Sequence, residues 1–238
     1  MRLDKFICKS TELSRTEARG VIHAGEVIVN DDLVTDEATQ VHENNLITLA
    51  GRRLLARPSR YLMMHKPAGT LCSNVDGVYP SLFHRLNIDR ADDLHIVGRL
   101  DADTTGLVLL TDDGRWSFNI IRPQQQCEKV YRVGLRDPLA PEVAARFARG
   151  LLLQGESSPT LPARLEAVAP KEVLLTITEG RFHQVKRMFS AVGNRVLSLH
   201  REQIGAVRLN VPLGQWRHLT TDEVGSFLNQ TLATPAEG

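Results

Sequence analysis

Short apolar runs of strand length alternate with amphipathic segments of helix length from Tyr61 onward, and polar turns separate them. The most apolar run covers residues 106–111 and ends at the polar turn 112–114. Such runs form β-strands, and amphipathic helices bury their apolar face against them. The alternation therefore predicts an α+β fold, in which a mixed, mostly antiparallel sheet packs beside helices.

Turn and capping residues set the expected bounds of these elements. Pro141 suits the first turn of a helix and Gly150 its end, Gly193 ends a second helix, and Thr220 with Glu223 forms a capping box for a third. The predicted strands are residues 61–65, 106–111, 130–135, 164–168 and 172–178. The predicted helices are residues 141–147, 182–192 and 220–230.

The N-terminal residues predict a separate small module. Ser14 and Glu17 form a capping box, and Gly25 suits the end of the helix that they begin. Strand-like runs follow at residues 26–30 and 46–49, separated by polar turns such as residues 30–32. The basic, proline-containing stretch 52–60 is typical of a linker. We therefore expect a module at 1–57, a linker at 58–60, a larger domain at 61–232 and a frayed tail at 233–238.

Charge limits where a polyanionic partner could bind. The formal net charge of the 238-residue chain is +1, so binding to nucleic acid must come from a locally basic face. Arg15 and Arg19 lie at i and i+4 on one side of the predicted helix, and Arg2 and Lys5 could join them. The alternative is that these charges form only a solvated helix face.

Cysteine usage and hydropathy indicate the compartment. The three cysteines are scattered and form no CxxC pair, which favours a reducing compartment over a disulfide scaffold or a cysteine zinc site. The charged N-terminus is unlike a signal peptide, and no run approaches the roughly 18 consecutive apolar residues of a membrane span. We therefore expect a cytoplasmic protein without a membrane segment.

The segment 98–106 is the first candidate for chemistry. It places Asp101 and Asp103 directly before the most apolar strand, which would hold a reactive loop rigidly. The alternative is an ordinary polar turn. Tyr131, at the start of another strand, could stack on a base. The alternative there is an amphipathic edge strand with a half-buried tyrosine.

The predicted helix 182–192 is the second candidate. Its apolar stripe consists of Val185, Met188, Phe189 and Val192. One step round lies a polar face of His183, Lys186, Arg187 and Ser190. That face could contact solvent, a carboxylate or a phosphate backbone.

In this order the segments resemble the motifs of the pseudouridine synthases, and within them the group that acts on ribosomal small-subunit RNA. Residues 65–69 are similar to the family's first strand-turn motif and 98–106 to its catalytic motif. Lys129 with Tyr131 resembles the motif of the active-site tyrosine, and residues 180–186 resemble the third motif. The resemblance covers essentially the whole chain, because residues 1–57 look like the S4-type RNA-binding module of this group.

The resemblance implies three catalytic residues: Asp101 as the nucleophile, Lys186 as its ionic partner, and Tyr131. It further implies uridine 516 of 16S rRNA as the target, with free rRNA or a small-subunit assembly intermediate as partner, and a monomer that uses no metal or other cofactor. The residues expected to contact RNA are Arg99, Arg181, His183, Gln184 and Arg187, together with Arg2, Lys5, Arg15 and Arg19 of the N-terminal module.

The reaction suits these residue types. Pseudouridine formation breaks the N-glycosidic bond, turns the uracil and rejoins it through carbon 5, so neither atoms nor oxidation state change. A carboxylate supplies the nucleophile or base, and a nearby cation favours its ionised form. The target uridine must leave its stack. Whether Asp101 attacks the sugar, attacks the base or removes a ribose proton stays open, and Asp103 is expected to point away from it.

Three alternatives stay open at this point. Relatives that act on 23S rRNA share these motifs. Residues 101–105 also fit the DxDx(T/V) pattern of haloacid-dehalogenase-like phosphatases, although that pattern should directly follow an apolar strand. The N-terminal module could also make the chain a non-catalytic RNA-binding protein.

Overall fold

The computed structural model of the protein describes residues 1–42 and 44–228, and the chain divides into two compact units. The first unit is Met1–Ser59 and the second begins at Arg60, so the boundary falls inside the linker expected at 58–60. The expected tail 233–238 and the end of the expected last helix at Gln230 lie outside the described residues. None of the described helices is long and apolar enough to cross a membrane.

The N-terminal unit packs two helices on a small antiparallel sheet. Its elements are α1 (Leu3–Ser10), α2 (Arg15–His23), β1 (Val27–Val29), β2 (Asp32–Leu33), β3 (Ile47–Leu49) and β4 (Arg52–Arg53), with strand order β2-β1-β3-β4. The capping box of α2 is confirmed, because Ser14 and Glu17 each accept the other's backbone N–H. Leu3, Ile7 and Ile47 are fully buried between the helices and the sheet.

Two expectations for this unit hold only in part. The turn expected at residues 30–32 is present at Asn30 and Asp31, whose positive φ suits these residue types in a tight hairpin, whereas Asp32 already begins β2, which pairs with β1. The stretch 52–60 is not a linker throughout, because β4 pairs with β3. Arg57 also belongs to this unit, since its guanidinium donates to the carbonyl oxygens of Cys8 and Thr11.

The second unit contains a sheet of nine strands among the described residues. The strands are β5 (Tyr61–Lys66), β6 (His95–Val97), β7 (Thr105–Thr111), β8 (Lys129–Leu135), β9 (Arg164–Ala169), β10 (Glu172–Ile177), β11 (Val196–Ile204), β12 (Val207–Arg208) and β13 (Trp216–His218). The order is β13-β5-β7-β11-β8-β10-β9, with β12 on β11 and β6 on β7. Only the β7–β11 pair is parallel among these, so the expected mixed, mostly antiparallel sheet is confirmed.

Four α-helices accompany this sheet in the described residues. They are α3 (Gly114–Ile121), α4 (Val143–Arg149), α5 (Gln184–Ala191) and α6 (Thr221–Ser226), with single 3-10 turns at Leu82–Arg85, Ala91–Asp93 and Pro123–Gln125. The expected capping box of the last helix, Thr220 with Glu223, is present.

Strand β7 explains why one run of this sequence is almost wholly apolar. Successive side chains alternate between the two faces of a sheet, and both faces are covered here. Val108 and Leu110 join one core cluster, in which α4 and α5 also pack, while Leu107 and Leu109 join a second cluster with α3. All four are fully buried, and each contributes about 1.5–3 kcal/mol of apolar burial. This strand therefore gives the preceding segment a rigid base.

Several elements were not anticipated: β6, α3, β11, β12 and β13. The sequence pattern predicts only a polar turn at 112–114 and therefore misses helix α3. In the structure the Asp113 carboxylate accepts the N–H groups of Arg115 and Trp116 and caps this helix. Strand β11 was missed because its register shifts twice, which breaks the period of two, and because it buries a charged residue, Arg201. The edge-strand alternative for Tyr131 was wrong, since β8 lies between β10 and β11.

Candidate active site

A buried lysine fixes the loop that carries the candidate nucleophile. Lys66, at the end of β5, is fully buried, and its Nζ donates to the carbonyl oxygens of Pro67, Ala102 and Thr104 at 3.1, 3.2 and 2.8 Å. Burial lowers the pKa of Lys66, and the three carbonyl oxygens replace the water that its ammonium has lost. These hydrogen bonds from Lys66 therefore fix the backbone on either side of Asp103.

Lys186 joins the two carboxylates of this loop. Its Nζ lies 2.9 Å from Oδ2 of Asp101 and 2.7 and 2.9 Å from the two carboxylate oxygens of Asp103. The prediction that Lys186 lies beside Asp101 agrees with this geometry. The expectation that Asp103 points away was wrong, because the same ammonium attracts both carboxylates.

The charges of this cluster stabilise one another. Burial alone would lower the pKa of Lys186, but its hydrogen bonds to Asp103 and Asp101 outweigh burial and raise it. The hydrogen bond from Lys186 lowers the pKa of Asp103. His183 adds a second nitrogen, because its Nε2 lies 3.3 Å from Oδ1 of Asp101. Asp101 therefore has a side-chain nitrogen near each of its oxygens, while its side chain stays 29% exposed.

The start of α5 aims these side chains at the loop. His183 precedes the helix with a φ of 48°, a left-handed conformation. Gln184 is buried and accepts the backbone N–H of Arg181, and its amide donates to Glu179. Val185 faces the core, as expected from the apolar stripe. Lys186 is thereby left on the side of the helix that faces the loop.

Two predicted RNA contacts are occupied within the chain. Arg181 forms ion pairs with Glu179 and Glu156 and donates to the carbonyl oxygens of Ser158 and Pro159. Arg187 forms an ion pair with Glu156 and donates to the carbonyl oxygens of Gln154 and Phe182. The structure thus places both arginines beside the segment 154–159, where they brace the third motif. Arg99 is exposed, two residues before Asp101.

Tyr131 is connected to the loop through a residue that sequence analysis missed. Arg201 is 1% exposed and lies between β7 and β8, opposite Gly106 and Tyr131. Its guanidinium donates to the carbonyl oxygens of Gly98 and Leu107 at 2.6 and 2.8 Å and to the hydroxyl of Tyr131 at 3.3 Å. One buried cation therefore ties the tyrosine to the start of the catalytic motif.

The sequence indicates Arg201 only indirectly, through Gly106, the glycine that lies opposite it on β7. A Cβ at Gly106 would lie 2.3 Å from the carbonyl oxygen of Arg201, and Gly106 has a φ of +114°. The glycine thus permits the close parallel approach of β7 and β11. Because Arg201 lies between His200 and Glu202, the sequence alone predicts an exposed polar residue at this position.

Three of the four predicted N-terminal cations surround one buried carboxylate. Asp4 is fully buried, and its oxygens lie 3.1, 3.2 and 3.5 Å from the Nε atoms of Arg2, Arg15 and Arg19. Burial would raise the pKa of Asp4, but hydrogen bonds from Arg2, Arg15 and the backbone N–H of Lys5 outweigh it and lower the value. We call Arg2, Arg15 and Arg19 the arginine cluster.

Within residues 1–42 and 44–228, no group of three or more His, Cys, Asp or Glu side chains could hold a metal ion.

Comparisons with known proteins cover both units. The family model described as RNA pseudouridylate synthase matches residues 60–191, and the S4 domain model matches residues 1–47. Ribosomal small subunit pseudouridine synthase A of Vibrio cholerae is 47% identical over 229 residues, which are 95% of this chain and 99% of that protein. The Escherichia coli protein of the same name is 45% identical over 231 residues, 96% of this chain and 100% of that one.

A solved structure gives the same result for the fold. A crystal structure of a pseudouridylate synthase superposes with a TM-score of 0.71 at 43% sequence identity, and the match covers 95% of this chain and 99% of that one.

Proposed function

The chain belongs to the RNA pseudouridylate synthase family and is an rRNA pseudouridine synthase, and on that premise we propose that it converts uridine 516 of 16S rRNA into pseudouridine. The observation that carries this proposal is the near full-length similarity to relatives named for the small ribosomal subunit. We further propose that the enzyme acts on 16S rRNA or a small-subunit assembly intermediate, as a cytoplasmic monomer that needs no cofactor. Membership of this family removes the phosphatase alternative.

Asp101 is the proposed nucleophile. It is held by Lys186 and His183 on a loop fixed by Lys66, and it keeps an accessible carboxylate. The contact with the Lys186 ammonium fixes the position of this carboxylate, which is the group that can act as a nucleophile. Asp103 shares the ammonium and so keeps Lys186 charged. We assign the chemistry to Asp101 because its side chain is more enclosed, at 29% exposure against 72% for Asp103.

Tyr131 is the proposed third catalytic residue. Its hydroxyl accepts a hydrogen bond from Arg201, so its own proton is available to a substrate atom. We propose that this hydroxyl assists the proton transfers that accompany the return of the uracil to the sugar. Arg201 orients the hydroxyl and takes no direct part in the reaction.

The RNA contacts divide into two groups. We propose that Arg99 and His183 meet the substrate directly, while Arg181, Gln184 and Arg187 support them, because their polar groups bond within the chain. In the S4 unit, we propose that the arginine cluster and Lys5 bind RNA phosphates. Phosphate contacts of this kind position an RNA without reading its sequence.

The proposed target is tested by incubating the protein with 16S rRNA, with small-subunit assembly intermediates and with 23S rRNA, then mapping pseudouridine by carbodiimide labelling and reverse transcription. We expect one new stop, at uridine 516. A stop only in 23S rRNA would transfer the activity to the large-subunit target. No stop in any of these RNAs would overturn the proposed target.

A further inference from the structure

Phe182 is an exposed aromatic residue at the rim of the site. It lies between Arg181 and His183, which are both engaged in contacts, yet 76% of its surface is accessible. Exposed large apolar residues are common singly, so exposure alone carries no inference. The surroundings of this ring make it different.

The ring of Phe182 is held in a defined orientation. It stacks on the imidazole of His183, with centroids 3.8 Å apart and an angle of 21° between the planes. Its carbonyl oxygen accepts a hydrogen bond from Arg187 at 3.1 Å. Arg181, the preceding residue, is anchored to Glu179. One face of the phenyl ring is therefore covered by the imidazole, and the exposed surface of the ring is left for another partner.

This ring lies one side chain away from the nucleophile. The imidazole that Phe182 covers is itself 3.3 Å from the Asp101 carboxylate. Because His183 contacts both of them, the exposed side of the Phe182 ring lies within one side chain of the place where a nucleotide would meet Asp101. Lys186, on the helix α5 that begins two residues after Phe182, supplies positive charge beside the Asp101 carboxylate.

We propose that Phe182 stacks on the base immediately next to the target uridine and holds it while the uridine is turned out. This rests on the proposed function of Asp101. Every base has an aromatic face, so the contact contributes affinity and position more than sequence choice. It also replaces part of the stacking that the neighbour loses when the uridine leaves the helix.

The first test is a pair of substitutions at matched exposed phenylalanines. Phe182→Leu should weaken binding of the rRNA that the wild-type protein modifies by about 5-fold or more, since stacking contributes at least that much per base. The rate at saturating RNA should change much less, and Phe182→Trp, which keeps an aromatic ring, should retain the wild-type affinity. Phe118→Leu is the control, because Phe118 is also exposed, at 56%, on α3. Equal affinity of Phe182→Leu and the wild type would overturn the proposal.

The second test removes the partner base. In the same rRNA, an abasic site is placed on the 5′ or the 3′ side of the target uridine. On one of these two substrates, wild type and Phe182→Leu should bind equally, because the stacking partner is gone. A loss that persists on both abasic substrates would overturn the proposal. The proposed function is assessed separately, by the wild-type protein on unmodified rRNA.

Discussion

The ammonium group of Lys186 is the side-chain charge that holds the two carboxylates of the loop together. A single ammonium contacts Asp101 and Asp103, and without it two carboxylates on one short loop would repel each other. Lys66 and Arg201 act differently, since both bond mainly to carbonyl oxygens and shape the backbone. The site thus separates a cation that contacts the two carboxylates of the loop from cations that fix the backbone.

Replacing Lys186 by Met should reduce stability most at intermediate pH. The pKa of Asp103 is lowered in the folded protein, so its stabilisation is present above the unfolded value of about 3.9 and is lost as pH falls. The pKa of Lys186 is raised despite burial, so its part is present below about 10.4 and is lost as pH rises. Because Asp103 is 72% exposed, water screens the pair and we expect about 1 kcal/mol or less.

Urea unfolding across this pH range measures the effect. Lys171→Met, at an exposed turn between β9 and β10, is the control and should show no such pH dependence. If the free energies of unfolding of the wild type and Lys186→Met differ by the same amount at every pH, charge coupling between Lys186 and Asp103 is ruled out.

The parallel contact of β7 and β11 is the decisive feature at the element scale. It brings Arg201 opposite Gly106 and close to Gly98, and it depends on the glycine at position 106. The antiparallel pairing of β11 with β8 then brings Arg201 against Tyr131. In the N-terminal unit, ion pairs of the arginine cluster with the buried Asp4 likewise connect two elements, α1 and α2.

Gly106→Ala should destabilise the protein by about 2 kcal/mol or more, because the new Cβ would lie 2.3 Å from backbone of β11 and the φ of +114° disfavours any side chain. Denaturant unfolding measures the change. Gly225→Ala, in α6, has nothing within 4 Å of its new Cβ and should be neutral or slightly stabilising. Equal effects at the two positions would show that the β7–β11 approach is not tight.

Asp4→Asn should weaken rRNA binding although it removes a negative charge. The reason is that Asp4 orients the arginine cluster, and disordered guanidinium groups bind phosphates less well. Filter binding at several salt concentrations measures the change, with thermal melting to confirm folding. Asp32→Asn, an exposed carboxylate on β2, is the control and should bind equally or more tightly. Tighter binding by Asp4→Asn would show that only net charge matters.

The whole molecule shows which features a sequence reveals. Strand β7 could be predicted because burial on both faces leaves an unbroken apolar run, and the α2 capping box because it is local. Strand β11 could not be predicted, because two register shifts and the buried Arg201 interrupt the alternation of apolar and polar residues that is typical of a strand. Asp101 and Lys186 were predicted from motifs 85 residues apart, whereas Arg201 acts through contacts that only the topology creates.

If Asp101 performs the chemistry, replacing its carboxylate by an amide abolishes modification, and the Asp101→Asn variant measures this. Asp103→Asn is the matched control, because it removes the other carboxylate from the same ammonium. Each variant is incubated with the rRNA that the wild type modifies, and pseudouridine is mapped by carbodiimide labelling and reverse transcription. We predict that Asp101→Asn folds and binds RNA but forms no pseudouridine, while Asp103→Asn still forms it. Full modification by Asp101→Asn would show that another group performs the chemistry.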